Sequence, residues 1–213
     1  SSSDATIADI DANGFVTIKG VGSATITATK PGGSNYDTVT ADYPLSALPK
    51  PVTAIVTADD KVYDGKTNAT LHVTWEKGAL VGDDEIKTQT LTGVFADEHV
   101  GANKTVSFTC TFVSDTTCAK YDITLPPDTT ASILKADAVA PTLTANDRVY
   151  DGVAQVLVSD GDANTLYSSS RDGVYTATVP TGTNAGTYTV WYKEKGDANH
   201  NDSEPQAIEV TIS

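Results

Sequence analysis

Polar and apolar residues alternate along much of this chain with a period of two. Phe15-Val16-Thr17-Ile18-Lys19 and Ala24-Thr25-Ile26-Thr27-Ala28-Thr29 alternate, Thr105 to Phe112 does so over eight residues, and Thr187 to Lys193 repeats the pattern. Successive side chains of a strand point to opposite faces, so each run predicts a strand with one face buried. Turn-forming residues separate the runs: Asp11-Ala12-Asn13-Gly14, Gly32-Gly33, Asp64-Gly65 and Asp172-Gly173. Asn13 and Gly14 are expected at positive φ in a hairpin turn. Short strands punctuated in this way predict sandwiches. No amphipathic helix of useful length is visible. Composition agrees, with 33 Thr and 21 Val against 10 Leu and no Met. β-branched side chains suit a pleated, half-buried surface and lose rotamer freedom in helices.

The chain also repeats itself. Thr57-Ala58-Asp59-Asp60-Lys61-Val62-Tyr63-Asp64-Gly65 returns 87 residues later as Thr144-Ala145-Asn146-Asp147-Arg148-Val149-Tyr150-Asp151-Gly152, with seven of nine positions identical. A second signature follows as Val21-Gly22-Ser23-Ala24-Thr25-Ile26, Val100-Gly101-Ala102-Asn103-Lys104-Thr105-Val106 and Ala185-Gly186-Thr187-Tyr188-Thr189-Val190. A third follows as Asn35-Tyr36-Asp37, Lys120-Tyr121-Asp122 and Asn199-His200-Asn201-Asp202. Three copies of one plan are therefore expected, over residues 1–48, 49–137 and 138–213, the first lacking its opening third. Their boundaries fall at Leu48-Pro49-Lys50-Pro51 and near Ala138-Val139-Ala140-Pro141, proline-bearing stretches suited to linkers.

Charge narrows the partners. The net charge of −14 divides as −3, −5 and −6 among the three segments. Nucleic acid and anionic membrane both require basic patches, so neither is expected. No run of 18 apolar residues is present to insert in a bilayer. The sequence has neither a signal peptide nor an initiator Met and reads as a piece of something longer.

Three resemblances follow. Residues 1–48 resemble the C-terminal part of a group 2 bacterial immunoglobulin-like domain, through Ser3 to Ala8, Asp11 to Thr17 and Gly20 to Ala28. Residues 49–137 resemble the Y-D-G repeat domain of bacterial surface proteins, through Lys61 to Thr67 and Gly93-Val94-Phe95. Residues 138–213 resemble a related sandwich repeat, through Tyr150-Asp151-Gly152 and Asn184 to Val190. The resemblance implies an all-β chain of tandem immunoglobulin-like β-sandwiches, elongated, from an extracellular adhesin-like protein of bacteria, on the cell surface or secreted. It implies no catalytic residue and no cofactor. Fold alone leaves three roles open: spacer, sugar binder and protein binder.

No catalytic constellation is legible. His72, His99 and His200 are scattered, and no Gly-x-Ser-x-Gly elbow occurs. A non-enzyme without metal or cofactor is expected. Asp9-x-Asp11-x-Asn13-Gly14 begins like a calcium loop, but its twelfth position is Gly20 rather than Glu, so it reads as a turn. Tyr63 and Tyr150 read as packing or corner tyrosines, with Asp64-Gly65 and Asp151-Gly152 making the turn. Cys110 and Cys118 would face each other if two strands folded back about Ser114, and an exported chain would oxidise them to a disulfide.

Exposed aromatics are the functional lead. Period two puts Tyr188, Val190 and Tyr192 on one face and Thr189, Trp191 and Lys193 on the other, so Trp191 stands where the first copy has a solvent-facing Thr. An outward Trp offers a flat platform for stacking. Trp75 beside Glu76 is a second candidate, and Tyr167 and Tyr175 are a third. The expected function is a non-catalytic, monomeric spacer or binder of a host glycoprotein, mucin or immunoglobulin. The alternatives are a carbohydrate-binding module using Trp191 and an accessory segment of a large secreted enzyme.

Overall fold

The computed structural model describes all 213 residues. The chain is all-β, with 51% strand and 1% helix. It runs through β1 (Ala8–Ile10), β2 (Val16–Ile18), β3 (Gly22–Lys30), β4 (Val39–Ala47), β5 (Lys50–Ala58), β6 (Lys61–Val62), β7 (Asn68–Ala69), β8 (Leu71–Trp75), β9 (Thr88–Phe95) and β10 (Gly101–Phe112). A 3₁₀ turn at Cys118–Lys120 precedes β11 (Tyr121–Thr124), β12 (Thr129–Leu134), β13 (Ala136–Asp137), β14 (Thr144–Ala145), β15 (Gln155–Val156) and β16 (Val158–Ser159). The last strands are β17 (Thr165–Ser168), β18 (Thr181–Gly182), β19 (Gly186–Glu194), β20 (His200–Asn201) and β21 (Gln206–Ile212). No helix is long and apolar enough to cross a membrane.

The strands gather into two compact units. One comprises Ser1–Ala58, Thr70–Gly93 and Ser107–Thr129, the other Asp59–Ala69, Val94–Val106 and Thr130–Ser213. In the first unit β1 pairs antiparallel with β2, and β3 with β4. These hairpins enclose a small core of Ala8, Ala24 and Ile26, with Ile7, Ile10 and Leu45 against it. The turn between β1 and β2 is closed by Asp11, whose carboxylate accepts the N–H groups of Asn13 and Phe15. Of the two residues expected at positive φ there, only Gly14 (+87°) adopts it. One αL residue suffices because the Asp11 side chain supplies the turn's hydrogen bonds. The same unit holds a three-stranded sheet in the order β11-β5-β8, with Val52, Ile86 and Tyr121 buried and Trp75, Phe112 and Ile123 packed on them.

In the second unit, strands of the sheet ordered β6-β12-β10-β9-β7 bury Phe95, Val106, Ala131 and Ile133. The second unit also contains the antiparallel sheet β17-β19-β21. Its inner face meets β14 and β16 over a core of Leu143, Leu157, Val158, Tyr167, Val190, Tyr192, Val210 and Ile212. Each such aliphatic side chain taken fully from water contributes about 1.5–3 kcal/mol. β19 buries Val190 and Tyr192 and turns Thr189 outward, as its alternation predicts.

The cysteines depart from expectation. Cys110 lies on β10, and the chain after Phe112 does not fold back along that strand. It turns at Asp115, whose carboxylate accepts the N–H of Cys118, and β11 then pairs in parallel with β5. The symmetric hairpin about Ser114 is absent and no disulfide joins Cys110 and Cys118. Cys118 packs against the Val52 cluster, and burial pushes the Cys110 thiol up from its ordinary value.

Candidate functional site

The outward face of β17-β19-β21 carries the strongest aromatic candidate. Trp191 is half-buried, and its cross-strand neighbours are small: Ser168 on β17 and Ala207 on β21. Tyr167 exchanges both backbone hydrogen bonds with Thr176, a register that sets Tyr175 opposite Ser168. Tyr175, Ser168, Trp191 and Ala207 therefore form one row across four adjacent segments of the chain. Two strand spacings separate the aromatics, about 10 Å. Lys193, one step along the same face, lies 4.9 Å from the centre of the Tyr175 ring and donates to Asp202 at 2.6 Å. That bond holds the Asp202 carboxyl below its usual range. Thr189 is exposed, opposite Glu209.

The other aromatic candidates resolve differently. Trp75 points inward on β8 and packs against Phe112, ring centres 5.7 Å apart. It is consumed by the core, because β8 puts Leu71, Val73 and Trp75 on its inner face. Tyr167 is 5% exposed and belongs to the core beneath Trp191. A cleft of about 210 Å³ in the first unit is lined by Ile18, Val21, Leu48 and Val81 together with three lysines. Lys19 is held by Asp9, Lys120 by Asp84, and Lys50 by the carbonyls of Gly78 and Ala79. Tyr121 adds a hydrogen bond to Asp84 at 2.7 Å, the largest cause of its lowered carboxyl value. No group of three or more His, Cys, Asp or Glu side chains converges in a metal-binding arrangement.

The repeated motif has one geometry built twice, all within the second unit. Asp60 accepts the N–H of Ser132 at 2.6 Å, and Asp147 accepts that of Thr211 at 2.8 Å. Lys61 pairs in parallel with Ile133, and Arg148 with Ile212. The Tyr63 N–H donates to the Leu134 carbonyl at 2.8 Å, and the Tyr150 N–H to the Ser213 carbonyl at 2.8 Å. Asp64 then accepts from Lys66 N–H, and Asp151 from Val153 N–H, each at 3.0 Å. Gly65 (φ +69°) and Gly152 (φ +79°) complete the turn in a backbone conformation only glycine adopts freely. Each tyrosine hydroxyl comes within 4.0 Å of where a Cβ on its glycine would lie. The Asp-Gly turn is thus as expected. What the sequence does not announce is that the residues before it form a strand paired in parallel with one some 70 positions later. Lys61 itself is spent on Asp64 at 2.7 Å.

The third signature also acquires a role. Tyr121 and Asp122 on β11 pair in parallel with Lys50 and Pro51 of β5. His200 and Asn201 on β20 do the same with Ala136 and Asp137 of β13. In the latter, Ala136 and Ala138 donate to the carbonyls of Asn199 and Asn201 at 3.1 Å each. Lys135 donates to the Asp197 carbonyl at 2.6 Å, Asn201 donates to Asp137, and the His200 ring meets Tyr63 edge-on at 5.2 Å. The His200 ring also lies 2.9 Å from Asp197, holding that carboxyl below its usual range.

Residues 48–131 match the sequence model of the YDG domain, and residues 1–31 match that of the intimin immunoglobulin-like domain. The bacterial immunoglobulin-like resemblance read over residues 1–48 and the Y-D-G resemblance read over residues 49–137 are thereby borne out, the first by a match that ends at residue 31. No curated protein matches the chain.

Proposed function

We propose that this chain is a non-catalytic extracellular part of a bacterial surface or secreted protein, a monomeric, elongated series of immunoglobulin-like sandwiches that spaces or presents a binding element. The observation that carries the reading is the duplicated Asp-x-Val-Tyr-Asp-Gly geometry, with the YDG and intimin-type matches beside it. A site for chemistry need not recur, whereas a framework must, and here the recurring residues are spent on backbone bonds. Small-angle scattering checks the spacer. A globular chain of this length has a radius of gyration of about 17 Å. An elongated series gives a clearly larger value, and a value near 17 Å sinks the proposal.

The row of Tyr175, Ser168 and Trp191 favours a second reading, a carbohydrate-binding face. Aromatics about 10 Å apart, with a small residue between, suit stacking on alternate rings of an extended glycan. Lys193, Thr189 and Asp202 would supply the polar rim. Screening mucins, serum proteins including immunoglobulins, and a glycan array, beside Trp191→Ala, separates the readings. Glycan binding lost in the variant supports the face. Binding retained in the variant rejects this face and puts the binding surface elsewhere on the chain, and no binding at all leaves the chain as a spacer.

A further inference from the structure

Four parallel strand pairs recur at matched places in the two later copies: β5 with β11, β6 with β12, β13 with β20, and the strand at Arg148 with the end of β21. In each, one partner lies among the strands at or near the start of a copy. For two of them, β6 and the strand at Arg148, the other partner is the last long strand of the copy: β12, which ends at Leu134, and β21, which ends at Ile212.

Parallel pairing gives this arrangement a mechanical meaning. Tension along the backbone pulls an entering strand back toward its N-terminus and a leaving strand forward toward its C-terminus. Two parallel strands loaded so must slide along each other's axis, and all the hydrogen bonds between them share the load. An antiparallel pair loaded at adjacent ends opens one bond at a time. In the last copy the sliding contact includes Arg148 N–H to Thr211 carbonyl at 3.0 Å, Ser213 N–H to Arg148 carbonyl at 2.9 Å and Tyr150 N–H to Ser213 carbonyl at 2.8 Å. Asp147 and Asp60 each add a rung beyond the ladder, a charge-assisted bond from the entering strand to an N–H of the leaving one.

We propose that the Asp-x-Val-Tyr strand of each copy is a shear clamp, so that residues 60–134 and 147–213 resist tension along the backbone. The proposal rests on the spacer reading but fails separately from it: scattering tests extension, whereas force tests the clamp.

The experiment tethers the whole chain by its two ends and holds it at constant force. The wild type is expected to give two discrete unfolding events, with length gains of about 270 and 240 Å at ~3.6 Å per residue. Forced unfolding is governed by the unfolding rate. Asp60→Ala with Asp147→Ala is expected to shorten the lifetime under force roughly tenfold, the effect of one lost charge-assisted bond at the barrier of each clamp. The control is Val190→Ala, in the core but outside the clamp. It is expected to lose at least as much thermal stability while shortening the lifetime under force far less. Lifetimes that merely track thermal stability across both variants overturn the proposal. So does smooth extension of the wild type without discrete events, and that arm decides even if the double variant does not fold.

Discussion

Residues 1–48 and residues 138–213 contain the same alternating strand, and bury it very differently. β3 puts Ala24 and Ile26 inward, and β19 puts Val190 and Tyr192 inward. Around β19 stand Leu157, Val158, Tyr167, Val210 and Ile212; around β3 only Ala8 is as deeply buried. Val16, Thr17 and Ile18 of β2 are all exposed, as are Phe15 (72%), Tyr43 (70%) and Leu48 (80%). Alternation specifies a strand and its two faces. Whether a face is buried depends on a second layer, and two hairpins do not supply one.

The most severe test of that contrast is to hollow out the larger core. Tyr167→Ala is expected to cost about 3–5 kcal/mol in urea denaturation, against about 2 kcal/mol for Ile26→Ala, whose surroundings collapse more easily. Equal costs would break the comparison. Gly161→Ala comes next. A Cβ there would lie 1.9 Å from the Tyr167 hydroxyl, so overpacking of about 1–3 kcal/mol is expected, and Tyr167→Phe should recover part of it.

A pH experiment probes the rim of the same region. One carboxylate oxygen of Glu194 is buried without a hydrogen-bond partner, and burial, then the charge of Asp162, raises its value above the ordinary 4.5. A raised carboxyl favours the folded state while protonated and loses that advantage as pH rises through its folded value. Glu194→Gln should therefore stabilise by about 0.5–1 kcal/mol at pH 7 and have no advantage at pH 4. An equal gain at both pH values would reject burial as the cause. The smallest effect expected is that of reductant: with Cys110 and Cys118 unpaired, it should leave the melting temperature unchanged, and a downward shift would show a bridge.

Local signals were legible and distant ones were not. The alternation of β3, β10 and β19, the Asp-Gly turns and each copy of the repeated motif are each written in a short run of consecutive residues, where period and turn chemistry operate. The fate of Cys118 depended on β11 choosing β5, some 70 positions back, over the adjacent β10. Parallel pairing leaves no local period to read, so the role of Asp60 and Asp147 was hidden although the residues were conspicuous. Trp191 was placed on its correct face, but its small neighbours and the alignment of Tyr175 come from strand register. Trp75 shows the converse: a Trp beside charged Glu76 and Lys77 reads as surface, yet its parity on β8 turns it inward.

The Lys135–Ala138 segment bears on how the chain withstands proteases. A protease binds its substrate as an extended segment whose own amides are free to pair with the enzyme. Here the amides of Ala136 and Ala138 are already committed to Asn199 and Asn201, and the Lys135 side chain is anchored on the Asp197 carbonyl. The next open bond lies beside Val139, 86% exposed. A first cut there would leave β12, β13 and their parallel partners in place, so a nicked chain would still be held together at this point by strand pairing and the side-chain bonds beside it.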